Sequence, residues 1–451
     1  MKDLTRGNET KLILLFSLPM LLGNVFQQLY NTVDSVVVGQ FVGKQALAAV
    51  GQSFPVIFIF VALITGFGMA SNILVAQNFG ARKTERLQAV VETSLAFTAL
   101  FSVAVTVIGI VFAPAILRAM GTPGDAFDDA VLYLRIVFVG SFASFGYNTL
   151  SAILRGIGDS RTPLIALVIS TLLNIALDLL FVVAFGWGVA GVAVATVIAQ
   201  TASFAWTALY LSHRVSVFTL SLSRIRVDRA VFREIVALGL PSGVQQGLVG
   251  AGLMTLTGVV NQFGTNPAAA YSVAGKLDSF AVMPAMSMSL AIASFTGQNL
   301  GAGRKDRVHR GLVSGLIFSL AISGTIAALL YFFGGFFVSF FSGDAEVIRI
   351  GSEYFRIVAF AYIAQTIMFC LNGVLRGAGA MVVSMFITIA SMWVVRVPLA
   401  MIFSYHWGTR GIWWAIVCGF TVGMIAALCF YCFGKWDKRV LVKPEVIAAL
   451  E

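Results

Sequence analysis

The chain has 451 residues, of which 59% are hydrophobic and only 11% charged, a balance that excludes an ordinary soluble globular protein. Its formal net charge of +10 is scattered over short polar segments, so membrane topology accounts for it better than nucleic-acid binding does. The four cysteines, Cys370, Cys418, Cys429 and Cys432, lie in apolar stretches with no companion residues at metal-site spacing. They read as small apolar filler.

Apolar runs of membrane-spanning length recur from end to end. In chain order they are Leu12–Gln40, Ala46–Asn78, Leu87–Leu117, Ala130–Leu154, Thr162–Phe185, Gly188–Ser212, Phe232–Gln262, Asn266–Gln298, Val308–Phe341, Val347–Leu375, Met381–Ser404 and Gly408–Gly434. The first is too long for a cleaved signal peptide and lacks its small-residue cleavage pattern. With the N-terminus inside, the cytoplasmic segments carry twenty-two Lys and Arg residues and the outer loops four: Lys44, Arg118, Arg349 and Arg410. That asymmetry predicts a multi-pass protein of the bacterial cytoplasmic membrane with both termini in the cytoplasm. Trp187, Trp407, Trp413 and Trp414 then fall at outer ends of spans and Trp436 at an inner end, as an aromatic belt requires.

The chain repeats itself with a period of about 221 residues. QNFGARK at Gln77–Lys83 returns as QNLGAGRK at Gln298–Lys305, read here with one inserted residue. YLRIV at Tyr133–Val137 returns as YFRIV at Tyr354–Val358, LRGIG at Leu154–Gly158 as LRGAG at Leu375–Gly379, and Pro19 as Pro241. Six spans per copy is an even number, so the copies share orientation. The fold class is an all-α polytopic membrane protein of twelve transmembrane helices, in two six-helix bundles related by a pseudo-two-fold along the membrane normal. The expected divisions are a bundle at 1–212, a basic cytoplasmic linker at 213–231, a second bundle at 232–434 and a tail at 435–451.

The chemistry is concentrated in the first copy. Asn24, Gln27, Asn31 and Asp34 are spaced three, four and three apart, one continuous polar stripe on a helix that ends in a carboxylate within the membrane. An ionisable group there is costly and marks a functional site by default. Further stripes run through Ser141, Ser144, Asn148 and Ser151, through Thr171, Asn174 and Asp178, and through Thr196, Gln200, Ser203 and Thr207. Four stripes in four spans of one half point to a water-accessible cavity. At ~1.5 Å per residue, Asp34 lies ~9 Å, Asp178 ~10 Å and Thr196 ~12 Å below the outer ends of their spans. They therefore share one level, where two carboxylates, an amide and a hydroxyl can hold a proton or a dehydrated sodium ion. The second copy does not repeat them: Thr255 or Leu256 aligns with Asp34, and Val395 and Leu399 with Asn174 and Asp178. Lys276, Asp278 and Arg396 stand there instead, and Arg135 and Arg356 read as snorkelling anchors. Pro19, eight residues into the first span and beside Gly23, marks a bend and a candidate hinge.

No catalytic constellation accompanies these residues. His213, His309 and His406 sit in loops away from any carboxylate or Cys at ligand spacing, and no P-loop motif occurs. The expectation is a carrier rather than an enzyme, without a cofactor, driven by an ion gradient.

Three runs together carry a family resemblance: NTVDSVVVGQ at Asn31–Gln40, LRGIGDSRTP at Leu154–Pro163, and NIALD at Asn174–Asp178 followed by GWGVAGVAVATVIAQ at Gly186–Gln200. Over essentially its full length the chain resembles the multidrug and toxic compound extrusion (MATE) transporters. The resemblance implies two six-helix bundles around a central cavity, and export of large, often cationic and aromatic compounds against an inward proton or sodium gradient. Within the family the chain is most similar to the DinF-like branch, which implies a cation site at Asp34, Asn174, Asp178 and Thr196 and a polar network through Tyr133 and Asn148. Gln27, Asn31, Ser151 and Gln200 are then candidates for lining the substrate cavity. The NorM-like branch also uses a glutamate in its seventh helix, where this chain has Gln245 and Gln246, so a second-half cation site is not expected. The implied partners are small drug-like molecules and the lipid bilayer, with no nucleic acid and a monomeric chain. A lipid-linked oligosaccharide flippase of the same superfamily would need a cationic cavity, whereas the first half is acidic and amide-rich. A major-facilitator carrier would show an acid in the loop after the second span, where residues 78–83 have none.

Overall fold

The computed structural model describes residues 2–215, 217–218 and 226–442 of the chain. Part of the expected linker (216 and 219–225) and most of the expected tail (443–451) lie outside the described residues. The elements in order are α1 (Glu9–Val37), α2 (Lys44–Gly80), α3 (Thr84–Ala119), α4 (Gly124–Val139), α5 (Ser141–Gly156), α6 (Arg161–Asp178) and α7 (Gly188–Arg214). The second copy contributes α8 (Arg229–Asn261), α9 (Thr265–Gly301), α10 (Lys305–Ser339), α11 (Ala345–Gly377), α12 (Met381–Ile389), α13 (Val397–Trp407) and α14 (Thr409–Phe433). Ten of the spans so formed are long and apolar enough to cross a membrane; α4 and α5, bent by 49° on one another, form another. With α8, whose 33 residues include Pro241, Ser242, Gln245 and Gln246, the described residues make the twelve spans expected.

The internal repeat is written into the backbone as well as the sequence. Gly43 and Gly264, Gly158 and Gly379, and Gly188 and Gly408 take matching positive φ angles at corresponding helix junctions. The same register corrects the reading of the QNFGARK repeat, because nothing is inserted. The amides of Arg82 and Lys83 donate to the carbonyls of Phe79 and Asn78, and those of Gly303 and Arg304 donate to Leu300 and Asn299 in the same pattern. Arg82 (φ 57°) therefore corresponds to Gly303 (φ 72°). A left-handed residue is needed to end the helix at that point. The first copy places an arginine where glycine costs nothing, and that mismatch mimics a gap.

The copies differ in how their spans are broken. At Gly140 the first-half span bends because the Thr106 hydroxyl donates to the carbonyl of Phe138 (2.8 Å), displacing it from the helical ladder. Its counterpart α11 runs unbroken for 33 residues. Wide π-helical turns interrupt α1 after Val37 (Val38–Val42), α6 after Asp178 (Leu179–Ala184) and the span from α12 to α13 (Ala390–Arg396).

Contacts divide the chain into two compact units that cut across the sequence copies. One comprises Met1–Lys2 with Leu22–Gly243, the other Asp3–Leu21 with Val244–Glu451. The boundaries thus pass through α1 two residues beyond Pro19 and through α8 two residues beyond Pro241. In the first unit, the leading part of α8 starts at Asp228, whose carboxylate caps the Ala230 and Val231 amides. It then pairs Glu234 with Arg86 and meets α2 backbone to backbone. A Cβ on Gly66 would lie 2.4 Å from the nitrogen of Gly243, so only glycine permits that approach. In the second unit, Leu4 is fully buried; its amide donates to Gln298 Oε1 and its carbonyl accepts from Asn299 Nδ2. Arg304 and Arg307 donate to the carbonyls of Thr5 and Gly7, and Glu9 pairs with Arg307 and Arg310. The second copy of the Gln-Asn pair is thus a receptor for the chain's own leading segment.

The strained Arg82 supplies a test of the left-handed helix ends at residues 82 and 303. Arg82→Gly should raise thermal stability by about 0.5–1 kcal/mol, and Gly303→Arg should lower it by a similar amount. Melting curves of the purified variants read both signs, and no change in either variant would count against a left-handed backbone at these positions.

Candidate functional site

The site is assembled from the part of α1 beyond Leu21 and from α4, α6 and α7, all within the first unit. Asp34 sits one turn before the π-helical turn of α1, and Asp178 is the last residue of α6 before its own. These turns replace regular helix one turn beyond Asp34 and immediately beyond Asp178, and π turns are frequent at functional sites. They pack on one another and on the start of α7, which fixes the outer side of the site.

Asp178 and Asn174 are fully buried and Thr196 is 8% exposed. Asp34 is half-buried, with one carboxylate oxygen sealed from solvent. The carboxyl groups of Asp34 and Asp178 face each other closely enough to interact directly. Tyr133 of α4, also buried, lies within electrostatic reach of both. The decisive feature is what these groups lack. Both oxygens of Asp178, one of Asp34, both side-chain heteroatoms of Asn174 and the hydroxyl of Thr196 are buried without a hydrogen-bond partner among the described residues. Buried polar atoms are ordinarily paired, and unpaired charge in low dielectric is strongly unfavourable. Five orphaned oxygens converging from three helices are a donor set for a cation that prefers oxygen ligands, or for a proton shared by two carboxylates.

One member of the group escaped the sequence reading. Tyr30, one turn before Asp34 and buried, brings its unpartnered hydroxyl beside Thr196 and within reach of both carboxylates and Tyr133. Its spacing of four from Asp34 was the available signal; an aromatic at that position also reads as lipid-facing or core. Other expectations fare differently. Asn148 turns its amide back to the Ser144 carbonyl of its own helix (2.9 Å), and no contact joins it to the carboxylates. Gln27 and Asn31 are exposed along α1, Gln200 is half-buried, and Ser151 is buried with its hydroxyl unpartnered.

The stripes do not all line a water-accessible space. Ser141 bonds Thr106 and the Ser102 carbonyl, while Ser203 and Thr207 are buried and bonded to carbonyls of their own helix. Those three are packing residues. In the second half, Gln245 is likewise committed, donating to Thr388 at 2.6 Å. The cysteines are all free, with Cys370 buried and Cys429 and Cys432 exposed.

Comparison with known proteins places this architecture. The MatE family matches the chain twice, over residues 19–180 and again over 241–402, one match per copy of the repeat. The chain belongs to the MatE family. It is similar to the probable multidrug resistance protein YpnP of Bacillus subtilis (strain 168), with 31% identity over 97% of this chain and 98% of that protein. Among solved structures it is similar to an outward-facing multidrug resistance MATE family transporter of the MOP superfamily, with a TM-score of 0.90, 28% identity and coverage of 96% and 97%. A MATE transporter in a bent conformation matches with a TM-score of 0.89, 28% identity and coverage of 96% of each chain. Membership in the MatE family sets aside the major-facilitator alternative.

Two facing carboxylates without a counter-charge destabilise the fold most when both are ionised. Asp178→Asn keeps the shape and removes one charge, so the variant should melt higher than the parent at alkaline pH, by about 1 kcal/mol or roughly 2 °C. The difference should shrink as the pH falls and the parent takes up a proton. Melting temperatures across a pH series check this, and a pH-independent difference would count against a shared proton.

Proposed function

We propose that this MatE protein exports drug-like, often cationic and aromatic molecules in exchange for inward protons or sodium ions bound at Asp34, Asn174, Asp178 and Thr196, as in the DinF-like branch. The observation that carries the reading is the set of orphaned oxygens around Asp34 and Asp178. With no ion, the pair must hold two charges in a poor dielectric or keep a proton; with one, the charge is balanced and the oxygens are satisfied. Each bound ion can bias the transport cycle only by its different affinity for the two conformations. A site whose oxygens come from α1 on one side and from α6 and α7 on the other registers the packing of α1 directly. Gln27 and Asn31, exposed on the same face of α1, are proposed to meet substrate together with Ser151 and Gln200. The protein acts as a monomer in the cytoplasmic membrane with both termini inside.

The Asp34 carboxylate is the test of coupling. In proteoliposomes under separately imposed proton and sodium gradients, dye efflux by the parent should follow one or both gradients. Asp34→Asn, folded and inserted, should lose gradient-driven efflux to background. Efflux by that variant at the parent rate would falsify the assignment.

The route from ion to movement is proposed to pass through Pro19. This proline lies inside α1 at the boundary between compact units, where a missing backbone hydrogen bond makes bending least costly. A MATE transporter of the same fold is known in a bent conformation. Spin labels bracketing α1 should show a distance change when protons or sodium are added, and Pro19→Ala should reduce both that change and transport. A wild-type helix blind to both ions sinks the hinge.

A further inference from the structure

The second half holds a buried carboxylate that the first-half mechanism does not use. Asp278 lies on α9, and its two oxygens accept hydrogen bonds from the hydroxyls of Tyr354 and Tyr362, two turns apart on α11. Both tyrosines are buried. Around them Tyr271 stacks on Trp413 (ring centroids 5.6 Å apart), and Trp413 stands edge-on to Tyr354 at 4.8 Å. Arg396, from the π-helical turn Ala390–Arg396, lies within electrostatic reach of Asp278 and Tyr271. It forms no ion pair within 4 Å among the described residues; its guanidinium rests over Phe420 (5.2 Å), with a buried and unpartnered Nε. The groups facing Asp278 are therefore Tyr354 and Tyr362 from α11, Tyr271 from its own helix, and Arg396. Lys276 is drawn aside over Phe341, Glu353 of α11 pairs with Arg349 and Arg410, and the charged residues of α10 lie at its start, from Lys305 to Arg310.

The repeat gives this cluster a counterpart. Tyr354 corresponds to Tyr133, the residue within reach of Asp34 and Asp178. Each half thus sets the same tyrosine beside a buried carboxylate, although the carboxylates come from unrelated positions. The two sites differ in what they leave open. In the first half the oxygens are orphaned; in the second both are occupied by phenol donors. A metal cation entering the second site would have to turn both hydroxyls around and would meet the field of Arg396. A proton adds to one oxygen and reverses a single tyrosine, which then accepts instead of donating.

We propose that Asp278, Tyr354 and Tyr362 form a second ion-binding site, in the second half, that takes a proton and excludes metal cations. Its occupancy exchanges one of the two ties between α9 and α11 for a reversed bond.

Infrared spectra of the full-length protein in liposomes, recorded across a pH series, read the protonated-carboxyl carbonyl stretch directly. The background is the Asp34→Asn, Asp178→Asn double variant, so the first-half site is silent and its own success or failure does not enter. The exposed carboxyl groups titrate in every variant, so the signal is read as a difference: adding Asp278→Asn should remove one titrating band, and that band should keep its midpoint when sodium chloride replaces choline chloride. Tyr354→Phe or Tyr362→Phe, which remove one donor to the carboxylate, should move the midpoint up by about one pH unit, tenfold in proton affinity. These two variants keep the charge and carry the test if Asp278→Asn does not fold. No titrating band lost on adding Asp278→Asn, or a midpoint of that band unmoved in both tyrosine variants, overturns the proposal. A midpoint lowered by sodium overturns its selectivity.

Discussion

The structure turns on the cost of placing Asp34 and Asp178 face to face within a membrane. Neither has a basic partner among the described residues, and their neighbours, Asn174, Thr196, Tyr30 and Tyr133, are neutral. Most buried carboxylates are quieted by an arginine or by backbone amides. Here the helices are locally deformed instead: α1 widens into a π turn one turn after Asp34 and α6 directly after Asp178, and the span carrying Tyr133 bends at Gly140. Only the half that holds the pair has that bend.

Much of this could be read from the sequence, and the reasons are specific. Span positions followed from uninterrupted apolar length, and the stripe from Asn24 to Asp34 from helical spacing. Because rise per residue is constant, depth could be counted from the span ends, and it brought Asp34, Asp178 and Thr196 to one level before any packing was known. The Asn148 and Ser203 readings went astray because spacing identifies a face but not what that face meets; both polar groups bond within their own helix. The bend at Gly140 depends on a hydroxyl from another helix, Thr106, which no local pattern discloses. The apparent insertion in the second Gln-Asn motif arose because letters were compared where backbone conformation is what repeats.

The two halves are alike in backbone and unlike in chemistry. Left-handed residues recur at matching junctions, and Tyr133 and Tyr354 occupy one repeat position. The carboxylates beside them do not correspond: Asp34 and Asp178 have apolar or neutral counterparts, and so does Asp278. The two copies share their joints and their tyrosine and differ in where their acids stand. Polar residues in such a scaffold are informative chiefly where the copies disagree.

The division of α1 and α8 between compact units bears on how the chain is made. Leu4 finds its buried partners at Gln298 and Asn299, nearly three hundred positions later in synthesis. At roughly 5–20 residues per second, the leading segment waits on the order of half a minute with its main-chain groups and Glu9 unpaired. The first bundle also lacks the leading turns of α8, which supply Glu234 to Arg86, until the ribosome has passed the midpoint. Neither copy can complete its own fold from its own residues. Separating the gene into two halves would therefore yield two fragments, each missing a helix segment that the other encodes, and assembly would become bimolecular.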